Sequence, residues 1–170
     1  PSVEVARASL NVLDSHVNEE DMDRSRGAKK ERRETEGEIL VVLTMSEMDP
    51  YLVRFAANLG ETARASIRAI APILVPRELP IQSPLPTEEK QASEALHVAE
   101  LIAEELKVPL DKDLARARDF ASAIEDAIRP SSLQVIVGLS PDSEALDANC
   151  KIVRSVLSRV SAPVSFVRGH

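Results

Sequence analysis

With 170 residues, no Trp, one Tyr and three Phe, the chain has length for one domain plus a tail and must build an aliphatic core, which argues against stacking of bases or sugars. A net charge of -7 leaves no surplus of Lys and Arg to neutralise phosphates, so nucleic acid is set aside as a partner. A single Cys excludes an internal disulfide and fits a reducing compartment, and the absence of a long apolar run or a short charged-then-apolar leader gives the expectation of a cytoplasmic chain without membrane insertion.

The chain opens with Val3, Ala6, Leu10, Leu13 and Val17 at spacings of three and four, which predicts an amphipathic helix over about residues 2–18. Such a helix needs a surface to cover, on this domain, on a twin subunit or on a partner. Acidic residues Glu19, Glu20, Asp21 and Asp23 follow, then basic Arg24, Arg26, Lys29, Lys30, Arg32 and Arg33. A run of that kind reads as a solvated linker or, beside a membrane, as a contact for anionic lipid. The expected division is an N-terminal helix and charged linker over 1–37 and an α/β domain over 38–170.

Ile39, Leu40, Val41, Val42 and Leu43 form an unbroken apolar run, which suits a strand buried on both faces of a parallel sheet. Asp49 is expected to cap, and Pro50 to open, a helix whose inner face is Leu52, Phe55, Ala56, Leu59 and Ala63. Ser66 to about Leu74 is a second strand, its extent clouded by Pro72. Pro76, Pro80, Pro84 and Pro86 then mark a stiff loop without regular structure. Thr87 is the expected cap of a helix that buries Ala92, Ala95, Leu96, Ala99, Ile102, Ala103 and Leu106.

Val108 to Ala117 reads as a third strand, and Phe120, Ile124, Ala127 and Ile128 as a short helix that Asp119 caps and that ends before Pro130. Leu133 to Val137 is the second unbroken apolar run, with Gly138 as its end. The last helix, about Ser143 to Val160, is expected to bury Leu146, Cys150, Val153, Val156 or Leu157, and Val160, before a closing strand at Pro163 to Val167. Alternation of strand and helix predicts a five-stranded parallel doubly wound sheet of flavodoxin or Rossmann type, with an extra N-terminal helix. Ligands of such sheets collect at the carboxyl ends of the strands, so Thr44, Ser46, Gly138 and Ser140 are the candidate ligand-binding residues.

The order and pattern of these residues resemble the universal stress protein family. ILVVLTMSE resembles that family's opening strand and turn, LQVIVG its fourth strand, and VLSRVSAPVSFVR its closing helix and strand, with Ala162 and Pro163 where members often carry Cys-Pro. The resemblance implies a homodimer paired through the last strand, with Val164 and Phe166 at the interface. It also implies a nucleotide site in those members with the pattern Gly-x2-Gly-x9-Gly-Ser/Thr. Here Gly138 matches the first glycine, but Pro141 stands at the second and Cys150 and Lys151 near the third. Proline has no N–H to offer a phosphate, Asp142, Glu144 and Asp147 would repel one, and Thr44 stands where ATP-binding members have an acidic residue. Binding of ATP is therefore not expected, and no cofactor is.

Catalytic groupings are sparse. His16, His97 and His170 fall in unrelated segments without metal-ligand spacing, so neither metal nor catalytic residues are expected. Cys150 beside Lys151 suggests an activated thiol, yet its place on the apolar stripe favours core packing. Ser46 and Ser140 lack a histidine partner and suit hydrogen bonding to a ligand better than attack on one. Three function classes remain: a noncatalytic regulatory or stress-response domain acting through dimerisation and protein contacts, the cytoplasmic regulatory domain of a membrane transporter for amino acids or cations, and a small-molecule or nucleotide sensor.

Overall fold

The computed structural model describes residues 37–169. The predicted helix at 2–18, the charged run, and His16 and His170 lie outside these residues. In chain order the elements are β1 (Gly37–Val42), α1 (Asp49–Ala63), β2 (Ala65–Leu74), α2 (Pro86–Glu105), β3 (Leu110–Ala117), α3 (Phe120–Ala127), β4 (Ser132–Leu139), a 3-10 turn (Ser143–Ala145), α4 (Leu146–Arg159) and β5 (Val164–Arg168). The sheet order is β3-β2-β1-β4-β5, with every neighbouring pair parallel. Chain direction across the sheet therefore reverses between β1 and β4, and the loops that follow these two strands flank the switch point.

Alternation along the strands divides the core into two layers. Ile39, Val41, Leu43, Ile67 and Ala69 pack against Leu52, Val53 and Ala56 of α1 and Leu96 and Ala99 of α2. On the opposite face, Leu40, Val42, Ile70, Val135 and Val137 pack against Ile124 of α3 and Val156 of α4. Both apolar runs of the sequence are thus central strands, with β1 buried along its whole length.

Three helix faces differ from the expected ones. In α1 the buried residues are Asp49, Leu52, Val53, Ala56, Ala57 and Gly60, while Phe55 and Ala63 are exposed. Close approach to β2 explains the rotation: a Cβ at Gly60 would lie 3.0 Å from the Ala65 carbonyl oxygen, so this turn sits against the start of the strand. In α2 the expected apolar positions face inward except Leu106, which is exposed at the C-terminus. The helix begins at Pro86 without a side-chain cap, so Thr87 lies inside its first turn. In α4 the buried residues are Asn149 and Val156, whereas Leu146, Cys150 and Leu157 face outward.

Pro72 does not interrupt β2. Ile70 accepts a bond from the Leu43 N–H at 2.9 Å, so by alternation the position of the missing Pro72 donor is also on the β1 side, past the last β1 pair at Val42–Ile70. The next bond of this ladder would run from residue 72 to the Leu43 carbonyl, and proline has no N–H to make it, so the β1 pairing ends here while the β3 pairing of β2 continues. Gly138 lies inside β4, which runs on to Leu139. At the opposite end of the sheet Arg68 donates to Glu38 Oε1 from Nε at 3.1 Å and Nη2 at 2.8 Å, and its Nη2 also reaches the Ala127 carbonyl that ends α3. Both side chains are buried, so β1, β2 and α3 share one ionic tie.

Candidate functional site

The carboxyl ends of β1 and β4 bring the four predicted ligand-binding residues to one region of the molecule. A Cβ at Gly138 would lie 2.7 Å from Leu52 Cδ1 and 3.3 Å from Thr44 Cγ2. Gly138 thus lets α1 and the end of β1 close onto β4. That close packing is a structural use of the residue, and its backbone has no positive φ.

The turn after β1 is tied to itself. Asp49 does not cap α1; its Oδ1 accepts from the Thr44 N–H at 2.7 Å and the Thr44 hydroxyl at 2.8 Å. Thr44 Oγ1 and Ser46 Oγ lie 2.6 Å apart, and Ser46 Oγ also accepts from the Met48 N–H at 3.2 Å. Met45 turns the chain with a left-handed φ of 54°. Asp49 is 4% exposed, and its Oδ2 has no hydrogen-bond partner among the described residues. A one-sided carboxylate of this kind is costly to bury.

Burial raises the Asp49 carboxyl above its ordinary value, against the opposing pull of the Thr44 hydrogen bonds and of the nearby Met45 and Ser46 backbone N–H groups. The native state then holds this proton more tightly than the unfolded chain does. The associated stability is full below the ordinary carboxyl range and is lost as pH rises through the raised value. Asp49→Asn keeps an acceptor for Thr44 and removes the charge. Its stability relative to the parent is therefore expected to improve between about pH 4 and pH 7, as read from urea midpoints at both ends. Parallel pH slopes for the two proteins would refute this account.

The loop after β4 is closed by a residue that sequence reasoning assigned to no role. Asn149, buried on α4, accepts from the Ser140 N–H at 3.1 Å through Oδ1 and donates to the Ser140 carbonyl at 2.9 Å through Nδ2. A polar residue turned inward where Cys150 was expected is what rotates the α4 stripe. Ser140 Oγ accepts from the Asp142 N–H at 3.3 Å, and Arg168 donates to the Pro141 carbonyl at 2.9 Å. Asp142, Glu144 and Asp147 remain exposed at the mouth of the loop. Asp119 caps α3 as expected, through the Ser122 N–H at 2.9 Å, and pairs with Arg159 at 2.8 Å.

Two surfaces adjoin this region. A cavity of about 500 Å³ lies between the β1–α1 turn and α2, with Met45, Ser46, Glu47 and Asp49 on one side and Gln91, Glu94, Ala95 and Val98 on the other. On the other face of the sheet a groove runs along α4 to β5, lined by Leu139, Leu146, Cys150, Val153, Leu157 and Arg168. Val164 and Phe166 are half-buried on β5, with their side chains packed on the α3–α4 layer.

Neither a scan of protein-family models nor a search of curated proteins finds a match to this chain. Solved structures do match. A universal stress protein from Archaeoglobus fulgidus in complex with dAMP superposes with a TM-score of 0.59 at 14% identity, over 76% of this chain and 96% of that one. A universal stress protein family member from Burkholderia pseudomallei gives 0.60 at 16% identity, over 78% and 96%. A universal stress protein in complex with cAMP gives 0.56 at 14% identity, over 80% and 99%.

Proposed function

From the universal stress protein fold as premise, we propose that this chain is a noncatalytic regulatory domain of the stress-response type, working as a homodimer through protein contacts and without ATP. The observation that carries the reading is the open face formed by β5 and α4. Among the described residues β5 pairs only with β4, and the Pro163 carbonyl accepts from the Val135 N–H on that side. By alternation the backbone groups of Val164 and Phe166 point to the free edge, although their side chains point into the core. A strand edge of this sort is a template for pairing with a second copy. Beside it Leu146 and Leu157, 57% and 61% exposed, leave an apolar strip of α4 uncovered.

The absence of ATP binding is supported by the β4–α4 loop. Its Ser140 N–H is already bonded to Asn149, Pro141 has none, and three carboxylates surround the mouth. Two substitutions test the dimer. Leu157→Asp places a charge on the exposed strip and leaves the core untouched, and Val164→Pro removes a donor from the free edge, where proline is tolerated, but also trims a side chain packed on the α3–α4 layer, so circular dichroism checks that this variant keeps its fold. Sedimentation velocity is expected to show a dimer for the parent chain and a shift to monomer in each variant. A monomeric parent, or two variants that stay dimeric, would overturn the proposal.

A further inference from the structure

We propose that the cavity between the β1–α1 turn and α2 is a binding site for an aliphatic polyamine, with one ammonium donating to Asp49. Three independent features of the cavity converge on that chemistry. The first is an acceptor without a donor: Asp49 lines the cavity, is 4% exposed, and leaves Oδ2 unpartnered among the described residues while Oδ1 takes both Thr44 bonds. A buried carboxylate oxygen gains most from a charged donor. The second is the sign of the walls, since Glu47 and Glu94 also line the cavity and, among the described residues, no cationic side chain does. Lys90 approaches Glu94 at 3.9 Å between two well-exposed side chains, a contact weak enough for a ligand to compete with.

The third feature is an apolar stretch between the charges. Met45, Ala95 and Val98 supply methyl and methylene surface that suits a hydrocarbon spacer, and about 500 Å³ is ample for a chain carrying two or three ammonium groups. Phosphate-bearing ligands are disfavoured by the same acidic walls. Oδ2 is closed off from solvent, so the proposal requires the Met45–Met48 turn to yield on binding, which would alter the segment that Asp49 ties to Thr44. The site lies on the α1–α2 side of the sheet, whereas α4 packs on the opposite face, so the proposal stands apart from the dimer.

Titration calorimetry of the full chain with spermidine, at physiological salt and with magnesium chloride as a control for general attraction to an acidic protein, tests the assignment. Saturable binding is expected for spermidine, no comparable heat for magnesium, and roughly tenfold or greater weakening in Asp49→Asn. Ala95→Leu, a change at the half-exposed cavity wall that spares the carboxylate, is expected to weaken binding as well while circular dichroism and the sedimentation state stay those of the parent. No spermidine heat in the parent, heat matched by magnesium, or affinity unchanged in both folded variants would each overturn it.

Discussion

Arg68→Met is expected to destabilise the domain by about 3 kcal/mol, lowering the urea midpoint by roughly 1.5 M at an m-value near 2 kcal/mol/M. The Arg68 guanidinium is the close partner of Glu38, and both residues are almost completely buried, at 3% and 6% exposure. Removing the cation leaves a carboxylate inside the protein with, among the described residues, only Arg129 at 3.6 Å and the Ser132 hydroxyl at 3.0 Å to answer it. It also strips the Ala127 carbonyl at the end of α3 of its donor. Desolvation of the remaining charge is the larger loss, because an ion pair in the interior contributes little beyond the cost of bringing its members out of water.

The double variant Glu38→Leu with Arg68→Met is the informative companion. If the cost of Arg68→Met comes from the stranded carboxylate, making both positions apolar is expected to recover most of it, despite loss of the same ion pair. If it comes from the tie to α3, the double variant stays as unstable as the single one. A single variant within 1 kcal/mol of the parent would show that Arg129 and Ser132 suffice for Glu38.

The sequence made the strands legible because two of them are buried on both faces. An unbroken run such as Ile39 to Leu43 has few alternatives, and Leu133 to Val137 pairs with it at the switch point. Helix orientation was less legible, for a geometric reason. On α1, Phe55 and Val53 flank the Leu52 and Ala56 stripe from opposite sides, and hydrophobicity alone favours the larger residue; the approach of Gly60 to Ala65 turns the Val53 side inward. On α4 the choice rested on Asn149, a residue whose two bonds to Ser140 exist only once the loop after β4 has folded back. Asp49 followed the same logic, since its partner Thr44 lies outside the helix it seemed placed to cap. Contacts between segments far apart, such as Glu38 with Arg68, leave no periodic trace in the chain. The four candidate ligand residues lie in one region, but Thr44 and Ser46 bond to their own turn and Gly138 is occupied by packing, so the open cavity lies to one side of them, with Ser46 on its wall and α2 opposite.

Asn149→Ala is expected to cost about 2 kcal/mol, read as a melting midpoint lower by roughly 5 to 10 °C, and to show no ATP binding, the result also expected of the parent. The stability arm follows from hydrogen bonding: the carboxamide satisfies both backbone groups of Ser140, and alanine satisfies neither. Asn149→Asp sharpens the attribution. Aspartate keeps the acceptor for the Ser140 N–H but sets a carboxylate oxygen against the Ser140 carbonyl, so at neutral pH it is expected to cost at least as much as alanine although it fills the same space. The nucleotide arm separates two obstacles in the same loop. Freeing the Ser140 N–H restores one donor, but Pro141 still supplies none and Asp142, Glu144 and Asp147 still stand at the mouth. Calorimetry with magnesium ATP is therefore expected to give no heat for the parent or for Asn149→Ala. Binding that appears only in the alanine variant would identify the Asn149 clasp as the barrier, and micromolar binding by the parent would mean that this loop reaches phosphate by another geometry and that the domain is a nucleotide sensor.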